Sequence, residues 1–206
     1  MVEQEYKYLL SQTDFQHIYN MLSQHHKPTY LMNFNYYYDT SDFLLKRYGY
    51  TVRIRQTSGK RTLEIKCPSQ TSGYKRVREE KSFPIEDLPQ KLDVQNIVTS
   101  LPFTMTEQPE LLGLLVTERT TFYIETGIKV DLDQSSYLGI TDHELEIEYD
   151  SEKAYEADQW FHRLTDDLDI PVNRKGNALD LSLDLNHYTG RSNQHAGCFG
   201  SIHSLK

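Results

Sequence analysis

Cysteine is scarce in this chain, with two residues in 206, Cys67 and Cys198. Two such distant thiols make no disulfide framework, and with no further cysteines they make no cysteine-rich zinc site. Tryptophan occurs once, and no apolar run approaches the roughly 18 residues of a membrane-spanning helix. The opening residues, MVEQEYKYLL, lack the basic start and apolar stretch of a secretory signal. These absences predict a reducing, cytoplasmic setting and no membrane partner. A cationic excess is missing too: 22 Lys and Arg stand against 30 Asp and Glu, a net charge of -8. That argues against a broad basic surface for duplex nucleic acid, but it says nothing about where charges concentrate.

Tyrosine, by contrast, is abundant, with 15 residues, and it recurs in segments of period two. Such alternation over 3–9, 32–39, 51–56, 61–67, 74–83, 116–125, 128–133 and 143–149 predicts strands. Ser58-Gly59 and Thr126-Gly127 read as turns between neighbouring strands. A helix is expected over 13–25, with Thr13 or Asp14 as its N-cap, and another over 151–168, capped by Ser151. Residues 86–115, with Pro89, Pro102 and Pro109, predict short helices and loops. The leucines at 179, 181, 183 and 185 suit helix or strand, with a lean towards helix. Residues 189–206 are polar and predict a flexible tail. No repeat or internal boundary divides the chain, so 1–188 reads as one α+β domain.

Each predicted strand has one apolar face and one face charged with both signs. Glu3, Glu5 and Lys7 share a face, as do Arg53 with Arg55, Glu64 with Lys66, and Arg78 with Glu80. Arg119, then Lys129 with Asp131 and Asp133, and finally Glu144, Glu146 and Glu148 continue the pattern. On one strand this is an ordinary solvated face. Recurring on so many strands, it suggests an antiparallel barrel with its apolar faces outward under helices and its charges lining the lumen. Charges confined in this way need partners. A polyanion bridged by a divalent cation would satisfy both signs: Arg and Lys on phosphate oxygens, carboxylates on a hard metal. Tyr36-Tyr37-Tyr38 reads as strand packing and barrel rim, and His143 as a surface or rim residue.

Glu3-Gln4-Glu5-Tyr6-Lys7 resembles the E-x-E-x-K signature that opens the CYTH domain, or triphosphate tunnel metalloenzyme, superfamily. It is followed in order by Arg53-Ile54-Arg55, Leu63-Glu64-Ile65-Lys66, Arg78-Glu79-Glu80, Glu118-Arg119-Thr120, Leu132-Asp133 and Glu144-Leu145-Glu146-Ile147-Glu148. The ordered set is similar to the small stand-alone members of Gram-positive bacteria. The resemblance implies an eight-stranded antiparallel tunnel and Mg²⁺- or Mn²⁺-dependent hydrolysis of inorganic triphosphate or a small organic triphosphate. A class IV-type adenylate cyclase or a non-catalytic nucleotide or polyphosphate sensor is the alternative. It implies metal ligands among Glu3, Glu5, Asp133, Glu144, Glu146 and Glu148, with Asp131 competing with Asp133. Glu3, Glu5 and Glu146 are the implied catalytic acids. Lys7, Arg53, Arg55, Lys66, Arg78 and Arg119 are the implied triphosphate-binding cations, with Lys175 or Arg174 supplying a late one.

Overall fold

The period-two pattern sorts side chains to opposite faces of every strand, and the sheet built from those strands closes on itself. In the computed structural model, residues 2–93, 101–166 and 168 are described. The strands are β1 (Val2–Leu10), β2 (Thr29–Asp39), β3 (Thr51–Thr57), β4 (Lys60–Lys66), β5 (Gln70–Ser72), β6 (Lys75–Pro84), β7 (Glu110–Glu125), β8 (Ile128–Tyr137) and β9 (Ile140–Tyr149). Their order is β1-β9-β8-β7-β2-β3-β4-β6, antiparallel at each pairing, with β5 added beside β6. Closure comes from β1 meeting β6, which sets Glu3 opposite Arg78 and Glu5 opposite Arg76. The expected eight-stranded antiparallel barrel is therefore present, with one short strand appended.

The apolar faces point outward and build two cores on the outside of the barrel. In the first, Tyr6, Tyr8, Val130, Leu132, Leu145 and Ile147 lie beneath α1 (Gln12–Ser23) and α3 (Ala154–Thr165), which contribute Ile18, Leu22, Ala157, Phe161 and Leu164. In the second, Val52, Ile54, Leu63 and Ile65 pack with Leu45 of the short helix α2 (Leu44–Arg47) and with Leu92 and Met105. Each fully buried aliphatic side chain contributes roughly 1.5–3 kcal/mol. This outward burial leaves the polar faces nowhere but the lumen.

Local chemistry explains several boundaries. Helix α1 starts earlier than expected because the Ser11 hydroxyl, not Thr13 or Asp14, accepts the Asp14 N–H at 3.1 Å. Ser151 does not cap the last helix; it opens a 3-10 turn, Ser151–Lys153, and its hydroxyl accepts a bond from the Gln4 amide. The unanticipated α2 is anchored by the buried Asp39 carboxylate, which accepts the N–H groups of Thr40, Leu45 and Lys46. In the β3–β4 turn, Ser58 and Gly59 have φ of 49° and 77°, the primed-turn geometry that suits strand twist. Leu138-Gly139, in the Tyr-Leu-Gly segment after Asp133, makes a similar turn between β8 and β9. The described part of 86–115 contains no helix; Lys91 bridges to Glu110, where β7 begins. The segment 177–187, the tail 189–206, Arg174, Lys175 and Cys198 lie outside the described residues.

Candidate functional site: a two-walled tunnel

Odd positions on β1, β3, β7 and β8 and even positions on β4, β6 and β9 turn their charged side chains into the barrel. They surround a cavity of about 900 Å³ lined by Glu3, Glu5, Lys7, Arg53, Lys66 and Glu146, among others. The signs separate by strand. Adjacent strands β8 and β9 carry Asp131, Asp133, Glu144, Glu146 and Glu148, relieved only by Lys129 on the same faces. Across the lumen, β3, β4 and β6 carry Arg53, Arg55, Lys66 and Arg78 with Glu64 and Glu80. Between the two walls, β1 supplies Glu3, Glu5 and Lys7 on one side, and β7 supplies Arg119 on the other.

On the acidic wall, Asp133, Glu144 and Glu146 each offer an atom within 4.8 Å of the others, and Asp131, Glu146 and Glu148 form an overlapping trio. Two cations stitch these acids together. Arg119 donates to both oxygens of Asp133 at 2.7 and 2.6 Å, to Asp131 at 2.9 Å and to Glu146 at 2.6 Å. Lys7 pairs with Glu144 at 3.1 Å and also with Glu146. At the edge, Lys129 lies 2.9 Å from Glu148 and 3.2 Å from Asp131.

The basic wall is less fully neutralised. Arg53 Nε and Nη2 both donate to one oxygen of Glu64 at 2.7 Å. Arg55 is 3.5 Å from the other Glu64 oxygen and donates to the side-chain Oδ1 of Asn35 at 3.0 Å. Lys66 spans Glu3 at 2.9 Å and Glu80 at 3.1 Å. Arg78 feels the charges of Glu3 and Glu5 but, among the described residues, closes no ion pair.

Burial and charge then set the protonation states. For Glu146 burial raises the pKa, but Lys7 and Arg119 outweigh it and hold the carboxyl well below its usual range. Glu5 has the opposite balance: burial first, then repulsion from Glu146, lifts it to about 7. Burial also raises Asp133 and Glu148, against the pull of Arg119 and Lys129 respectively. Burial depresses Arg119 and Lys7, yet the surrounding carboxylates raise both overall, so both stay charged.

The tunnel thus brings together Glu3, Glu5, Lys7, Arg53, Arg55, Lys66, Arg78, Arg119, Asp133, Glu144, Glu146 and Glu148, and the fully buried Asp131 reaches it through Arg119. Glu3 and Glu5 differ in their company: neither belongs to a carboxylate trio, and Glu3 sits on Lys66. Residues with no role assigned beforehand also turn inward. Tyr37 lines the cavity and hydrogen-bonds with Arg53, while Tyr36 and Tyr38 pack outside in the second core. The signal was present in strand parity: Tyr37 is the register partner of Arg53. Asn33, Asn35, Thr117 and Ser135 form a buried uncharged patch of the interior, with Asn35 donating to Thr117 at 3.3 Å. His143 lies outside the lumen against the Phe15 ring.

Known proteins are similar to this chain in sequence and in fold. YjbK of Bacillus subtilis (strain 168), which carries a provisional name as a triphosphatase, is 28% identical over 184 residues, 86% of this chain and 92% of that protein. A Bacillus halodurans protein, bh2851, provisionally named an adenylate cyclase, is 25% identical with a TM-score of 0.61, over 83% of this chain and 93% of that one. HpAC1 from Hippeastrum, a provisional adenylyl cyclase described as having dominant triphosphatase activity, has a TM-score of 0.62 at 22% identity, over 78% of this chain and 86% of that one. The CYTH domain model matches residues 1–168, a span that holds the whole barrel and its inward-facing acids and bases, and this chain belongs to the CYTH domain family.

Proposed function

We propose that the chain is a divalent-metal-dependent triphosphatase that hydrolyses a phosphoanhydride bond of inorganic triphosphate or a small organic triphosphate inside the barrel. The division of the lumen into an acidic and a basic wall carries this reading. A receptor for a bare anion gains nothing from Asp131, Asp133, Glu144, Glu146 and Glu148 beside the ligand. A hard cation held between those carboxylates and phosphate oxygens uses both walls. The relationship to YjbK supports the same reaction class.

The donor set fits such a cation, being all carboxylate oxygen with no thiol or imidazole, which suits Mg²⁺ or Mn²⁺. Asp133, Glu144 and Glu146 would hold it, with Asp131 and Glu148 sharing Glu146 in the second trio and Glu3 and Glu5 on neighbouring β1. When bound, it would neutralise charge on the phosphate oxygens. Arg53, Arg55, Lys66 and Arg78 bind the phosphate chain, the arginines by paired N–H donors. Glu64 fixes Arg53 and Arg55 in the lumen before the ligand arrives, so little reorganisation accompanies binding. Water attacks the terminal phosphorus as the bridging P–O bond breaks and the shortened phosphate chain leaves, and a lumen carboxylate, with Glu5 on β1 beside Glu146, takes the water's proton.

An adenylate cyclase is the second reading, favoured by the name of the Bacillus halodurans neighbour. Release of phosphate from tripolyphosphate, ATP and thiamine triphosphate with Mg²⁺ or Mn²⁺, run beside cyclic AMP formation, separates the two. The triphosphatase reading expects phosphate. Cyclic AMP and pyrophosphate from ATP would establish the cyclase, and no turnover with tight triphosphate binding would leave a sensor.

A further inference from the structure

The carboxylates that would hold a divalent cation in the proposed site are the same carboxylates that Arg119 and Lys7 occupy. Arg119 touches Asp131, Asp133 and Glu146, which span both carboxylate trios, and lies 3.7 Å from Glu148. Lys7 covers Glu144 and Glu146, the rest of the first trio. Arg119 is mostly and Lys7 almost fully buried, with side-chain exposures of 14% and 8%, and both line the cavity into which a phosphate chain would enter. A guanidinium and a metal ion cannot share the same carboxylate oxygens at full strength. A triphosphate in the lumen, however, offers Arg119 and Lys7 an alternative set of anionic oxygens.

We propose that Arg119, with Lys7, is a built-in counter-ion that holds the metal-binding carboxylates closed until triphosphate draws it away. The inference rests on the triphosphatase reading and adds regulation of the same site. Without triphosphate the carboxylates are neutralised internally and bind a divalent cation weakly. With triphosphate the two cations turn to phosphate oxygens, and the freed carboxylates bind metal more tightly. By linkage, the metal raises triphosphate affinity by the same factor that triphosphate raises metal affinity. The tunnel thereby resists loading with a free divalent cation and assembles only when both ligands are present.

The test is Mn²⁺ binding alone, read from loss of the free-ion paramagnetic resonance signal, with no substrate and no turnover. Arg119→Gln should bind Mn²⁺ roughly tenfold or more tightly than the unaltered protein, within the usual range of coupling between sites. Adding Glu146→Gln to Arg119→Gln should abolish that gain. Equal or weaker Mn²⁺ binding by a folded Arg119→Gln protein would overturn the proposal. A second measurement needs no variant: in the unaltered protein, sulfate replacing chloride at matched ionic strength should tighten Mn²⁺ binding by offering Arg119 an oxyanion. Unchanged affinity in sulfate would also overturn it. Neither result touches the triphosphatase reading, which stands or falls on phosphate release.

Discussion

Glu5 and Glu146 face the same lumen with opposite ionisation, and the difference lies in their neighbours. Glu146 has Lys7 and Arg119 against it; Glu5 has burial and the charge of Glu146 itself. An acid whose folded pKa is raised keeps its proton after the unfolded chain has lost it, so its effect on stability turns unfavourable as pH rises from its ordinary 4.5 to about 7. Glu5→Gln should therefore gain stability relative to the unaltered protein across that window, by up to about 3 kcal/mol above pH 7. Urea unfolding at pH 5 and pH 8 measures it; the same difference at both would refute the raised pKa. Glu64 presents the opposite case, since its partner Arg53 cannot give up its charge. Glu64→Gln leaves that buried guanidinium without its counter-ion and should cost roughly 3–5 kcal/mol in urea unfolding. In the fraction that folds, KM for tripolyphosphate should rise more than kcat falls, because Arg53 and Arg55 lose their anchor. The inward acids and bases were legible from sequence because charge recurs at every second residue. Tyr37 was harder to place, because a tyrosine suits either face of a strand and only its pairing with Arg53 marks which one it takes.

Among the elements, turns and caps were legible only where the chemistry is strict. Gly59 and Gly127 were readable as turn glycines and have φ of 77° and 82°. Their surroundings differ. A Cβ at Gly59 meets nothing within 4 Å, whereas at Gly127 it would lie 2.8 Å from an Asp150 carboxylate oxygen and 3.1 Å from the Lys153 side chain. Gly59→Ala should cost only the left-handed strain, about 1–2 kcal/mol. Gly127→Ala should cost more, because it also disturbs the passage from β9 into the last helix. Paired thermal melts decide this, and equal losses would show that Asp150 and Lys153 move aside freely. The start of α1 was misplaced because Ser11, Thr13 and Asp14 are all competent caps, and only the backbone path selects Ser11. The short α2 escaped notice since it depends on Asp39, a residue before the helix whose carboxylate reaches forward to its N–H groups.

For the molecule as a whole, closure of β1 on β6 turns separate charged strand faces into one enclosed site. A ligand bound there contacts both walls and is lost on unfolding, so it should stabilise the barrel by mass action. Tripolyphosphate with Mn²⁺, at about a hundred times the dissociation constant, should add about 2.7 kcal/mol and raise the thermal midpoint. Removing Mn²⁺ with a chelator should reverse most of that gain, and an unmoved midpoint would argue against binding inside the tunnel. The eight barrel strands, the split of each into an apolar and a charged face, and the acids and bases that share a face were legible from the chain alone, whereas the short β5 was not. They were legible because side-chain direction along a strand has period two whatever the partner. Which acid meets which base came from the folding of the sheet. Arg119 reaches Asp131, Asp133 and Glu146 through the registers of β7 with β8 and β8 with β9, and Lys7 reaches Glu144 and Glu146 through β1 with β9. Those registers join residues far apart in the chain, and they follow from burying the outer cores under α1, α2 and α3 while the barrel closes.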